Sequence, residues 1–383
     1  MRMATKTIGI ILNGATGRIC STQHLGNALA AIRDQGGLRI GGDHFVPRPL
    51  LVGRNPERLA EIARVHDVAA WTADLDTALA DRDFTIFFDA AATHQRAAVL
   101  EKAVAAGKHI YCEKPAATTV AAGLKLLQAA EARSLKHGAV EDKIYLPGLQ
   151  KLTHLAKTGF FGRIVNFRLE FGWWVFDGVE APCQRPSWNY RRADGGGLIL
   201  DMYPHWRYLI EDIVGRIRRV VAASWTATPE RIDERGERYQ VDVEDTCATL
   251  VELESGACGT ILSSWATRVR RDDLLTLQVD GTRGSAIAGL HRCWTQSPRD
   301  TPQVAHFSVA TDIGADYRSG WNEVPAAGPY RNPYRIGWEE FLRHVIGNAP
   351  LRSSLAAGLR DVALAEACYR SVAEGRWVTL DAP

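Results

Sequence analysis

At 383 residues, 46% hydrophobic and 23% charged, the chain has material for two domains with buried cores. A formal net charge of +2 is too small for a dedicated nucleic-acid surface, and no apolar run reaches membrane-spanning length, so neither nucleic acid nor membrane is expected as a partner. Seven cysteines without a C-x-x-C pair argue against a disulfide frame or bound metal, and with no room for a signal peptide the expected location is cytoplasmic.

Ile8 to Leu12 reads as a buried strand, Asn13-Gly14-Ala15-Thr16-Gly17-Arg18 as a tight turn, and Ser21 to Ile32 as a helix stopped by Gly36-Gly37. Strand, glycine-rich turn and helix open a dinucleotide fold, which makes Asn13, Gly14, Thr16, Gly17 and Arg18 candidate contacts to a cofactor pyrophosphate at the helix N-terminus. Leu12 stands where the first glycine of G-x-G-x-x-G belongs. The next strand, Leu50 to Val52, ends in Gly53-Arg54-Asn55-Pro56, so Arg54 and Asn55 should face the adenosine ribose. Asp34 lies about 20 residues after Gly14 but at a helix end, and reads as a solvated charge. Arg54 therefore favours the 2′-phosphate of NADP, although an arginine can equally stack on adenine in an NAD site.

Glu57 to Val65 is a helix, and Thr85 to Phe88 a strand ending at Asp89-Ala90-Ala91-Ala92-Thr93-His94, with Ala91 and His94 as candidate cofactor contacts. Arg96 to Ala106 is a helix closed by Gly107, and His109 to Cys112 a strand ending in Glu113-Lys114-Pro115. Strands alternating with helices give a doubly wound parallel sheet, whose ligands bind beyond the strands' carboxyl ends. Glu113 and Lys114 then stand where nicotinamide and substrate meet, although a surface lysine at a strand end is the plain alternative.

Lys143 to Thr158 carries the chain onward, dividing it into a cofactor domain over 1–144 and a substrate-binding and oligomerisation domain over 145–383. Ile164–Glu170, Val220–Thr226, Thr246–Leu253, Gly259–Trp265 and Leu274–Val279 are β-rich. Their alternation implies an open sheet with one face left to a homodimer or homotetramer contact. Among them Gly195-Gly196-Gly197 can pass its backbone close to a ligand, and the apolar run after it should begin a helix that offers free N–H groups to substrate. Asp201 and His205, four apart, then share a face and can act together as an acid/base pair. Trp173, Trp174, Trp188 and Tyr190 suit the C–H faces of a sugar, though simple core packing competes for each. Lys143, Arg185, Arg191 and Arg192 can clamp an acidic group or remain solvated. The polar, Pro- and Gly-containing segment 296–333 reads as a long loop or paired strands beside the pocket.

The E-K-P motif at 113–115 and the Gly195-Gly196-Gly197…Asp201…His205 pattern together resemble the Gfo/Idh/MocA oxidoreductases. Phe160-Phe161-Gly162-Arg163-Ile164-Val165, Trp338-Glu339-Glu340-Phe341 and the segment from Glu366 to Arg376 extend the resemblance over nearly the whole chain. It implies a Rossmann domain, then an α+β domain on a large, mostly antiparallel open sheet. It also implies NAD(P)-dependent hydride transfer at a hydroxyl or carbonyl of a sugar, sugar acid, polyol or cyclitol. The family's catalytic lysine falls on Lys114, its acid on Asp201 and its histidine on His205. Besides Leu12, Ala91-Ala92 replaces a common Thr-Pro, and Tyr208 replaces an acid that orients the histidine. Two other readings share these residues: an NAD-dependent glycosidase with an extra base such as Tyr203 or His94, and a non-catalytic dinucleotide-binding regulator.

Overall fold

The structure, a computed structural model, describes residues 4–174, 178–183, 185–302, 316–326 and 328–381. The first sheet begins with strand β1 (Thr5–Asn13), whose last six residues are all buried. Helix α1 follows, wound in wide π-type turns over Ile19–Ala30 and as α-helix over Ala31–Asp34; it starts earlier than the apolar spacing suggests. Asp34 ends it exposed and paired to Arg33, a solvated charge as expected. Strands β2 (Leu38–Ile40) and β3 (Asp43–Val52), helix α2 (Pro56–Val65), β4 (Ala70–Thr72), helix α3 (Leu75–Ala80) and β5 (Phe84–Asp89) come next. They are followed by helix α4 (Thr93–Ala105), β6 (His109–Cys112), helix α5 (Val120–Ala132) and β7 (His137–Ala139). The order is β2-β3-β1-β5-β6-β7 with β4 also on β3; only β2 is antiparallel. Parallel strands align their carboxyl ends, so Asn13, Val52, Asp89, Cys112 and Ala139 lie along one edge.

Helix α6 (Pro147–Lys157) leads to β8 (Ile164–Gly172), helix α7 (Leu198–Ile213), β9 (Ile217–Trp225), the β10 (Glu230–Ile232)–β11 (Arg238–Gln240) ribbon, β12 (Thr246–Leu253) and β13 (Cys258–Ser264). Strands β14 (Leu275–Gly281), β15 (Ser285–Ala288), β16 (Cys293–Gln296) and β17 (Asn322–Glu323), helices α8 (Pro333–Gly347) and α9 (Leu355–Glu374), and β18 (Val378–Thr379) complete the chain. The second sheet runs β17-β16-β15-β14-β8-β13-β12-β9-β18, antiparallel except where β13 meets β8. The two domain architectures are those expected. Of the segment 296–333, residues 303–315 and 327 lie outside the described residues, and Trp294 and Thr295 pair with Glu323 and Asn322.

One face of the second sheet packs against α6, α7 and α9 through Phe167, Leu169, Trp206, Leu209 and Leu364. The other presents Trp225, Leu250 and Leu262 to solvent at 47%, 49% and 44% exposure. The last two helices also return to the first sheet. Trp338, Phe341 and Leu342 of α8 enter the core on one face, and Leu355 and Leu359 of α9 that on the other. Between the sheets, Arg207 of α7 bonds Glu141 after β7 at 2.7 Å and Asp361 of α9. Burial pushes the Glu141 carboxyl up to about 7, against the pull of Arg207.

Candidate active site

The cofactor edge is built from the ends of the parallel strands. Leu12 is fully buried within β1, so the turn opens after Asn13 rather than at the missing glycine. Gly14 takes φ +76°, and a Cβ there would lie 2.8 Å from the Ala91 nitrogen, so only glycine crosses the end of β5 at this height. The turn is fixed by Ala15 N–H donating to Val52 O at 3.0 Å and Gly17 N–H to Gly14 O at 2.9 Å. Asn13 donates to buried Asp89 at 2.8 Å, and Arg96 joins Asp89 to the Pro115 carbonyl. A turn pinched against two strand ends and opening a helix fits a dinucleotide pyrophosphate, with Thr16, Gly17 and Arg18 along it. Arg54 is exposed just beyond β3, and Asn55 caps α2 by accepting from Arg58 N–H at 3.0 Å.

Glu113 is committed inside the protein. Trp338 Nε1–H donates to His24 Nδ1 at 2.9 Å. An indole N–H can only donate, so Nδ1 is bare, and His24 Nε2–H donates to Glu113 Oε1 at 2.8 Å. Burial pushes this carboxyl up, but the His24 hydrogen bond and the charges around it bring it below its ordinary value.

Lys114 leaves the end of β6 and crosses to α7. Its Nζ donates to the Asp201 carbonyl at 2.8 Å and to Asp201 Oδ1 at 2.7 Å. Arg185 approaches Asp201 Oδ2 at 2.7 Å from the other side. Burial alone would raise the Asp201 carboxyl, but Arg185 and Lys114 outweigh it and hold it at about 2. These two cations engage both carboxylate oxygens, so Asp201 does not orient His205 as its helical spacing suggests. Instead His205 Nδ1 lies 2.6 Å from the Tyr208 hydroxyl. Tyr208 is therefore itself an orienting group and not the loss of one. Its oxygen accepts from Lys143 N–H at 3.2 Å and lies 3.3 Å from Asp142 Oδ1. Burial lowers the His205 imidazole well below its ordinary range, with Lys143, Lys114 and Arg185 adding to the shift.

Sequence reasoning missed Asp142. Its signal was available: three residues past β7, Glu141-Asp142-Lys143 lies at the carboxyl end of one more parallel strand. The adjacent Lys143 points its Nζ to Asp142 Oδ2 at 3.1 Å.

The glycine run serves the protein's own backbone. A Cβ on Gly196 would sit 2.4 Å from the Asn189 carbonyl, and one on Gly197 2.8 Å from Glu244 Oε1. The N–H groups expected to face substrate are also engaged, Leu198 donating to the Glu244 carbonyl at 3.0 Å and Ile199 to its side chain at 2.8 Å. Tyr190 is fully buried beneath Arg231 and edge-on to Trp265, in the core and not in a pocket. Trp174 is exposed and Trp188 half-buried. Arg191 lies over the Tyr239 ring, and Arg192 donates to the Asp242 carbonyl at 2.9 Å. Arg192 and His94 line a cleft of about 360 Å³ with Glu244 and Tyr369, one that includes none of Lys114, Asp201 and His205. The structure thus brings Lys114, Asp201, His205 and Lys143 together, and leaves Arg191, Arg192 and Tyr190 apart from them.

The profile of the oxidoreductase family with NAD-binding Rossmann fold matches residues 9–139, and that of the GFO/IDH/MocA C-terminal domain residues 149–287. A D-xylose dehydrogenase of Paenarthrobacter nicotinovorans is 43% identical over 384 residues, covering 99% of this chain and 98% of its own. A levoglucosan dehydrogenase of Pseudarthrobacter phenanthrenivorans is 27% identical over 358 residues, 86% of this chain and 89% of its own. A solved levoglucosan dehydrogenase in complex with NADH and levoglucosan shares the fold, with a TM-score of 0.81 at 22% identity over 98% of this chain and 99% of its own.

Proposed function

We propose that this chain, which belongs to the Gfo/Idh/MocA oxidoreductase family, is an NAD(P)-dependent dehydrogenase of D-xylose or a closely similar neutral sugar. The observation that carries the reading is the convergence of Lys114, held on Asp201, with His205, which feels its charge, in a chain similar from end to end to a D-xylose dehydrogenase. When bound, the nicotinamide supplies the hydride acceptor. The turn from Asn13 to Arg18 holds its pyrophosphate, Arg54 and Asn55 border the adenosine ribose, and Ala91 and His94 border the nicotinamide end. Lys114, fixed as a cation on Asp201, stabilises the negative charge that develops on the sugar oxygen as its proton leaves. His205, whose Nδ1 is turned to Tyr208 and Asp142, faces the same oxygen. A neutral substrate suits the arginines, since Arg185 is paired to Asp201, Arg191 stacks on Tyr239 and Arg192 bonds the Asp242 backbone.

The glycosidase reading has no observation in its favour: Tyr203 is fully buried with its hydroxyl 2.7 Å from Thr249, and His94 meets the Asp194 carbonyl. A regulator would not need the buried Lys114–Asp201 pair. None of the seven cysteines is in a disulfide, which suits a reducing cytoplasm. We extend the proposal to assembly, with a second copy covering the open face of the second sheet. The experiment is a screen of D-xylose, other neutral sugars and matched uronates with NAD and NADP, followed by absorbance of the reduced cofactor. D-xylose should lead, and Lys114→Ala and His205→Ala should each lower kcat by about 10²–10⁴-fold with cofactor binding retained. Preference for a uronate, or near-wild-type turnover in either variant, would overturn the corresponding part.

A further inference from the structure

His205 is buried and Asp201 is engaged by two cations, so whatever tunes the imidazole must come through Nδ1. That nitrogen meets one hydroxyl, Tyr208 Oη at 2.6 Å, and one carboxylate oxygen, Asp142 Oδ1 at 3.6 Å. The Tyr208 oxygen already accepts from Lys143 N–H. Its single proton therefore has two destinations, His205 Nδ1 or Asp142 Oδ1. If it goes to Nδ1, the imidazole proton is on Nε2, and the ring can only donate to a ligand there. If it goes to Asp142, Nδ1–H donates to Tyr208 and Nε2 keeps a free lone pair. A carboxylate attracts the proton more strongly than a neutral imidazole does, so Asp142 selects the second arrangement. Asp142 is itself 6% exposed and held by Lys143 Nζ on Oδ2.

We propose that Asp142, acting through the Tyr208 hydroxyl, is a positioning residue that keeps His205 in the tautomer with a bare Nε2 and supports the imidazolium once that nitrogen has taken the sugar's hydroxyl proton. The step balances simply: the O–H bond of the sugar breaks, an Nε2–H bond forms, Nδ1–H keeps its hydrogen bond to Tyr208, and the proton on Nε2 later leaves to solvent. This assigns the proton to His205 and leaves Lys114 as electrostatic support. It rests on the dehydrogenase reading above, but the tautomer itself does not.

The charged and titratable groups facing His205 are Lys143 and Asp142 from the segment after β7, Lys114 from β6, Arg185 from the loop before α7, and Tyr208 from its own helix. Burial and the three cations disfavour the imidazolium; Asp201 already pairs two of those cations, and Asp142 is the carboxylate that faces Nδ1. Removing the Asp142 charge takes away the negative charge facing Nδ1, so the base titrates at lower pH and accepts a proton less readily.

The test uses the full-length enzyme, Asp142→Asn, Tyr208→Phe and the double variant, with two independent readouts. In the first, the pH profile of kcat/KM for the sugar is measured. The acid limb should move down by roughly half a pH unit or more in Asp142→Asn. Turnover should fall roughly 10–100-fold with KM little changed, a part of the full general-base contribution. The double variant should be no worse than Tyr208→Phe, because the two residues act through one chain of hydrogen bonds. The second readout is the ¹⁵N spectrum of labelled histidine without substrate, His205 being assigned by difference from His205→Gln. Wild type should show the Nδ1–H form, Asp142→Asn a shift towards Nε2–H, and Tyr208→Phe a tautomer that no longer responds to Asp142→Asn. An Nε2–H tautomer in wild type, or an Asp142→Asn variant with unmoved acid limb and unmoved tautomer, overturns the proposal. If wild type oxidises no sugar at all, the dehydrogenase reading fails, and the tautomer measurement still decides the role of Asp142.

Discussion

Arg54 stands at the end of β3 with no ion pair or hydrogen bond to any other described residue, and no carboxylate shares its Gly53-Arg54-Asn55 turn. A free guanidinium at the ribose end of a Rossmann edge is suited to a 2′-phosphate, and charge-assisted hydrogen bonds are worth about 1.5–3 kcal/mol. Arg54→Ala should therefore weaken NADP by roughly tenfold or more while NAD changes little, measured as KM for each cofactor. Equal losses would mean that the side chain stacks on adenine. Such residues are legible in a sequence because a strand end fixes their place. Lys114 was legible for the same reason, whereas helical spacing placed Asp201 and His205 on one helix without giving their partners, since Asp201 is taken by Lys114 and Arg185. Asp142 was signalled by its place past β7, but its partnership with Tyr208 was not, because the contact joins a turn after β7 to a helix residue 66 positions later, and no local spacing encodes it.

Helix α7 depends on Glu244, which lies on the approach to β12. Its backbone carbonyl accepts from Leu198 N–H, and its Oε1 accepts from Ile199 N–H and from the Tyr369 hydroxyl at 2.9 Å. Glu244→Ala strands two buried donors at about 1–3 kcal/mol each, so thermal unfolding should move down by several degrees. Glu244→Gln keeps an acceptor and should lose much less. Burial raises the Glu244 carboxyl, so the fold holds this proton more tightly than the unfolded chain does. Its contribution is full below the ordinary carboxylate pKa and fades as pH rises through the raised value. Glu244→Gln, with no proton to lose, should gain on wild type as pH increases. At the same scale, β3 runs seven residues longer than its apolar core, Leu50 to Val52, suggests. Pro47 and Pro49 conceal it. They pair with Ile8 and Ile10 on one side, while β2 reaches only Phe45 and β4 begins only at Leu50 on the other. The missing N–H groups thus fall on an unpaired margin, where proline is tolerated in a strand.

At the scale of the whole molecule, the open face of the second sheet carries Trp225, Leu250 and Leu262 side by side, with Ala223 and Ala248 between them in register. Nine strands about 4.8 Å apart and about 20 Å long present roughly 850 Å², close to one partner's share of a standard interface. Leu250→Arg with Leu262→Arg should convert a wild-type oligomer to monomer by sedimentation, leaving the far-ultraviolet spectrum intact. A monomeric wild type would dispose of the proposed assembly. The return of α8 to the first sheet has a different consequence, one of timing. Trp338 bonds His24 and Phe341 stacks on Tyr111 at 4.5 Å, so the first domain completes one of its two cores with residues made well after its last strand. At roughly 5–20 residues per second, the roughly 200 residues between β7 and α8 take on the order of 10–40 s to emerge from a ribosome. For that interval the nascent cofactor domain presents Phe88, Tyr111 and His24 without their cover. Its maturation must wait for the second sheet and α8 to be translated.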